Sequence, residues 1–150
     1  MKKIFKRLII FFTGLPLLLC IVVFFPHYNH LLLNLAITVF SILGAMEFRN
    51  ILTHKNLVVS IPETIILGAI GPAAWTAVVS FGAVEPIAAV VFILGAFWLL
   101  VSRIFSSAEK LSSYINRTIA GFAVMIYPGL FTAWIIKMAL FPGAEMVILV

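Results

Sequence analysis

Residues 8–25 read LIIFFTGLPLLLCIVVFF, an uncharged run set directly behind Lys2, Lys3, Lys6 and Arg7. A bilayer core about 30 Å thick is crossed by roughly 20 apolar residues in a helix. A secretory signal peptide is the competing reading of such a start. Its apolar region is only about 7–15 residues long and ends at a small-residue cleavage site, and no such site precedes Pro26. Leu17-Leu18-Leu19-Cys20 has the outline of a lipoprotein box, but Leu19 stands where a small residue is required. The run is expected to be a retained first span, with Cys20 as buried packing.

The rest of the chain repeats this pattern. Of 150 residues, 64% are hydrophobic and 10% charged, against about 45–50% and about 25% in ordinary soluble domains. A water-soluble fold of this size cannot hide so much apolar side chain, because small domains keep much of their surface exposed. Disorder is excluded too, since 14 Phe, 3 Trp and 3 Tyr are the reverse of a low-hydrophobicity composition. The expected fold class is all-α, a polytopic membrane helix bundle forming one transmembrane domain.

Beyond the first span, further spans are expected over about 31–46, 57–80, 86–102 and 118–141, making five in full. Residues 144–150 begin a sixth that covers about 10 Å at ~1.5 Å per residue, so it reads as incomplete and the sequence as cut. Pro26 to His30 is expected to be a turn. Gly71-Pro72 should bend the third helix, because proline removes a backbone donor and clashes with the preceding turn. Ala69, Ala73 and Ala77 give that helix the small-residue spacing that admits close backbone approach. Pro86 suits the first turn of the fourth helix.

Residues 104–117 read differently. Ile104, Ala108, Leu111 and Ile115 fall on one helical stripe, and Ser106 and Glu109 fit a capping box. A short amphipathic helix at the cytoplasmic interface, close to anionic headgroups, is the expectation. A plain polar connector is its alternative.

Charge sets the orientation. With a cytoplasmic N-terminus, the inner side holds Lys2, Lys3, Lys6, Arg7, Arg49, Lys55, Arg103, Lys110 and Arg117, nine of ten basic residues. Lys137 alone falls outside, as the positive-inside rule requires. The expected location is the cell (inner) membrane. The same placement removes any argument for nucleic-acid binding from net charge.

Chemistry is sparse in these residues. The acids are all Glu, at 47, 63, 85, 109 and 145, with no Asp and no pair three or four apart. A hard cation wants several such oxygens, so no metal site is expected. One cysteine excludes an internal disulfide, a CxxC pair and a zinc cluster. His27 and His30 lack a carboxylate or thiol beside them. Asn116-Arg117-Thr118 matches the glycosylation sequon but falls on the cytoplasmic side. Neither a nucleophile–base pair nor a glycine-rich phosphate loop occurs.

Two places hold candidates. Glu47 and Arg49 close the second span, where a charge is either functional or snorkelling to the interface; two apart, they face different sides of a helix. Tyr127-Pro128-Gly129 interrupts the fifth span. Pro128 and Gly129 then either expose backbone to a watery cavity or form a packed kink.

Three segments together resemble the amino-terminal half of bacterial phosphatidate cytidylyltransferases (CDP-diacylglycerol synthases). They are Arg7-Leu-Ile-Ile-Phe-Phe-Thr-Gly14-Leu-Pro16, Gly44-Ala-Met-Glu47-Phe48-Arg49-Asn-Ile-Leu52 and Tyr127-Pro128-Gly129-Leu130. The resemblance implies an enzyme of phospholipid biosynthesis that joins CTP and phosphatidate to give CDP-diacylglycerol and pyrophosphate, using Mg²⁺. It also implies that the Asp-rich signature for metal and CTP follows in the family beyond the matched part. No catalytic position can be carried over, so this chain alone is expected to be inactive and to touch CTP only through a further part. Its implied share is lipid-facing scaffold, with Arg49, Lys55 and Arg103 attracting an anionic headgroup such as that of phosphatidate, and contacts in a possible homo-oligomer. The rival reading is a small membrane transporter subunit or assembly scaffold, supported by the small-residue stripe, the interrupted fifth helix and the missing catalytic groups.

Overall fold

The computed structural model describes residues 27–104 and 111–138, together with Pro16, Cys20 and Leu140. Most of the expected first span, the capping box at Ser106 to Glu109 and the partial span 144–150 lie outside the described residues. The rest is helical: α1 His27–Thr53, α2 Ile61–Phe81, α3 Pro86–Ile104, α4 Leu111–Val124, a π-helical segment Met125–Leu130 and α5 Phe131–Met138. The last three follow each other without a break, since both residues flanking the π segment keep right-handed helical angles.

Helix ends follow local chemistry. The expected turn over Pro26 to His30 is helix from His27, although His30 itself takes φ +57° and regular turns begin beyond it. At its other end α1 passes Glu47 and Arg49 and stops at Thr53, because nothing from 47 to 53 breaks a helix. A turn follows, with Asn56 at φ +60°, a conformation Asn tolerates better than most residues. Helix α2 starts at Ile61 rather than 57. Ser60 is extended at φ −69°, ψ 154°, Pro62 occupies the first turn, where its missing N–H is no loss, and Glu63 faces the positive helix end. Gly82, at φ +68°, ends α2 and leaves its N–H bonded to Val78.

One expectation needs correcting. Cys20 is exposed, not buried; a thiol behaves as a small hydrophobe, so an apolar surround suits it. The expected interfacial helix over 104–117 lies largely outside the described residues: Ile104 ends α3 and Leu111 begins α4, whose membrane-capable stretch starts at Tyr114.

Helix α2 touches every other helix and is the axis of the bundle. One core cluster joins Ala45, Leu67, Leu99, Val124 and Met125, a second Ala74, Val78 and Ala88. The interior also holds Asn34, Ser41, Thr64 and Thr76, while large apolar side chains crowd the outer faces: Ile51, Ile93, Phe97 and Phe131 are each more than 60% exposed. Water does not support an apolar surface this continuous. Lipid does. Three helices, His30–Thr53, Ile61–Phe81 and Tyr114–Met138, are long and apolar enough to cross a bilayer, and Pro86–Ser102 is a shorter apolar helix. The chain is a helical membrane protein.

Alternating direction sorts its charges. Arg49, Lys55, Arg103 and Arg117 fall at one end of the described bundle, and Lys137 with Glu85 at the other.

Candidate functional site

The interruption expected at Tyr127-Pro128-Gly129 is a packed π turn. Pro128 and Gly129 are buried, and the carbonyl of Gly129 lies against Gly71: a Cβ added to Gly71 would sit 2.7 Å from it. A Cβ on Gly129 would in turn meet the Leu67 carbonyl at 2.8 Å, and one on Gly68 the Ala45 methyl at 2.7 Å. Three glycines therefore carry the close approach of α1, α2 and the π segment. The alanine stripe does not: Ala73 is exposed and Ala69 and Ala77 are half-buried, because the distances at the crossing leave no room even for a methyl.

Backbone satisfaction at this crossing can be followed group by group. Pro72 has no N–H, so the carbonyl of Gly68, four residues earlier, loses its helical donor. Ser41 of α1 supplies one, its Oγ donating to Gly68 O at 2.6 Å. Pro128 O lies 3.1 Å from the same Oγ but only 2.6 Å from Thr132 Oγ1. Each hydroxyl has one proton, so the short pair of bonds assigns Ser41 to Gly68 and Thr132 to Pro128. Ser41 Oγ and Thr132 Oγ1 are 2.9 Å apart. This is a structural joint made of neutral groups.

Charge gathers at the end of the bundle where α1 stops and α2 begins. A cavity of about 260 Å³ is lined by Arg49, Asn56, Val59, Ser60, Asn116 and Arg117, among others. Arg49 is half-buried and its Nε donates to the carbonyl of Val59 at 2.6 Å. That bond uses one of five donors. Arg117 enters from the first turns of α4, with one guanidinium nitrogen 3.8 Å from Glu63 Oε2, a carboxylate to which Ser60 Oγ also donates at 3.4 Å. The start of α2 adds its partial positive charge. A second hollow of about 290 Å³ flanks the same turn on its other side, between Glu63, Ile66, Trp98 and Ser102.

Of the sequence candidates, Arg49 is in this site. Lys55 is exposed on the turn after α1 and does not line the cavity. Arg103 lies in the last turn of α3. Glu47 is exposed on α1, and Pro128 and Gly129 belong to the buried joint. Arg117, which lines the same cavity as Arg49, is the residue that sequence reasoning misses. Its signal was present: it opens a span at the same end where Arg49 closes one.

This arrangement suits an anion carried at the membrane surface. Guanidinium is always charged and matches phosphate or carboxylate oxygens two at a time. Among the described residues no three His, Cys or acidic side chains gather, and Glu63 is engaged by Arg117 and Ser60. No family model, no curated protein and no solved structure matches this chain.

Proposed function

We propose that this chain is the membrane portion of a phosphatidate cytidylyltransferase, with the Arg49–Arg117 cavity receiving the phosphate of phosphatidate. One observation carries the reading: two guanidiniums from helices far apart in sequence line one cavity at a membrane-facing helix end. The resemblance at Gly44 to Leu52 includes Arg49 itself. In this reading the chain has five complete spans and the start of a sixth, lies in the inner membrane, and keeps the Arg49 end in the cytoplasm, where the positive-inside rule puts it.

The chain's own residues bind and orient. Arg49, fixed by Val59, and Arg117, held beside Glu63, present N–H groups to the phosphate oxygens. The acyl chains stay among the exposed apolar faces of α1 and α3. Mg²⁺ and CTP, which the family reaction uses, would be held elsewhere: Glu63 is a single carboxylate already engaged, and a hard cation needs several oxygens. No chemical step is assigned to these residues.

The test uses the protein in its native membranes. CTP-dependent formation of CDP-diacylglycerol is measured with Arg49→Gln and Arg117→Gln variants at varied phosphatidate. The expected result is a raised apparent KM for phosphatidate with the KM for CTP unchanged. Activity that is absent from the membranes when this chain and the further part that holds CTP are both present, or a phosphatidate KM indifferent to both changes, would overturn the assignment.

A further inference from the structure

The opposite end of the bundle holds a cavity of different construction. A groove of about 490 Å³ runs between α2, α3 and α5, within the ~300–1,000 Å³ usual for ligand pockets. Leu130, Ala133, Trp134 and Lys137 line one wall at the spacing of a single helical face. Ala89 and Phe92 of α3 line the other. The groove is apolar below Lys137 for about 10 Å, taking ~1.5 Å per residue down to Leu130.

Its mouth is charged, and with both signs. Lys137 Nζ is 3.4 Å from Glu85 Oε1. The ammonium also lies over the rings of Trp75, at 4.8 Å, and Trp134, at 5.2 Å, which hold it in place by their negative faces. Tryptophans sit at the headgroup level of a membrane, so this mouth meets lipid phosphates. Lys137 is 27% and Glu85 58% exposed, leaving both available to an incoming group.

The pair discriminates between headgroups. An anionic headgroup gains at Lys137 and is repelled by Glu85. A choline headgroup has the right charges but no N–H to give Glu85. An ethanolamine headgroup offers phosphate oxygens to Lys137 and an ammonium N–H to Glu85, making a charge-assisted bond at each. We infer that this groove is a binding site for phosphatidylethanolamine, with one acyl chain in the apolar trough and the headgroup across Lys137 and Glu85. The site is independent of the Arg49–Arg117 cavity and of the reaction proposed for it.

The protein's three tryptophans are Trp75, Trp98 and Trp134, so Trp98→Phe leaves only the two at the groove as reporters. That variant is placed in phosphatidylcholine bilayers containing a minor fraction of lipid with brominated acyl chains, which quench tryptophan on contact. Brominated phosphatidylethanolamine should associate about three- to fivefold more strongly than brominated phosphatidylglycerol or phosphatidylcholine, the scale of one partly exposed charge contact. Adding Glu85→Gln should bring it down to the phosphatidylcholine level, and adding Ala89→Phe, which fills the trough from an exposed position, should abolish the preference. Equal quenching by all three headgroups is what another stretch of the chain or a second copy in the groove would produce, and it overturns the assignment. A preference for phosphatidylglycerol, or one that survives Glu85→Gln, overturns it as well.

Discussion

The helix joint at Ser41, Gly68 and Gly129 and the cavity at Arg49 and Arg117 are both polar sites in an apolar chain, built on opposite terms. At the joint every group is neutral, every bond is short, and the space is too tight for a methyl. At the cavity the groups are charged, and there is room for a ligand. The difference reflects depth. A charge far from water is expensive, so the interior is held by hydroxyls and carbonyls, while guanidiniums collect where headgroups and water can solvate them. A joint has to be filled to be stable. A binding site has to keep room to be useful.

The sharpest way to break that contrast is to crowd the joint. Gly129→Val places side-chain atoms against the Leu67 carbonyl, which cannot move without shifting α2. A loss of more than about 3 kcal/mol is expected, at the upper end of overpacking costs, read as loss of folded protein in mild detergent. Gly82→Ala, in open space at φ +68°, should cost only about 1 kcal/mol.

Removing a bond rather than space should cost less. Ser41→Ala strips the donor from Gly68 O, which Pro72 has already deprived of its helical partner. Hydrogen bonds between membrane helices average only about 0.6 kcal/mol, because freed groups find other partners. Here the carbonyl is buried with none, so about 1–3 kcal/mol is expected. Unfolding titrations of Ser41→Ala beside Ser41→Thr, which keeps the hydroxyl, would decide between these figures.

Changes at the cavity should leave folding alone and alter binding. Arg117→Gln should weaken phosphatidate about tenfold, equivalent to ~1.4 kcal/mol, with the melting temperature nearly unchanged; a fall in stability matching that at the joint would erase the distinction. Glu63→Gln should act in the opposite sense and least of all. Freeing Arg117 from a carboxylate 3.8 Å away should tighten phosphatidate about two- to threefold, measurable as a lower apparent KM.

Much of the architecture was legible because uncharged runs announce helices whatever their neighbours do. The boundaries of α3 and the start of the joint at Pro128 follow that signal closely. What sequence could not show is contact across elements. Arg49 and Arg117 are separated by two helices, α2 and α3, and each has a sufficient local explanation as a basic residue flanking a span. The alanine repeat misled for a related reason: spacing identifies a face of small residues but not the face that is used. Gly71 is conspicuous in sequence only as the partner of Pro72 in an expected bend; its packing role, like that of Gly68, emerges from the close approach of the π segment and α1. The π turn was hidden because proline and glycine together also spell a break.

That π turn has a consequence for helical phase. A segment bonded i to i+5 takes one residue more than the α-helix it replaces, and each residue advances a helix by about 100°. Everything after Leu130 is therefore rotated by roughly that angle from where an unbroken α-helix would aim it. Trp134 and Lys137 face Glu85 and Trp75 because of this offset. The bulge works as a gear with one extra tooth: deleting a single residue between Met125 and Leu130 would let the segment close into α-helix with the far end still in mesh, whereas closing it into α-helix at full length would turn Lys137 away from Glu85.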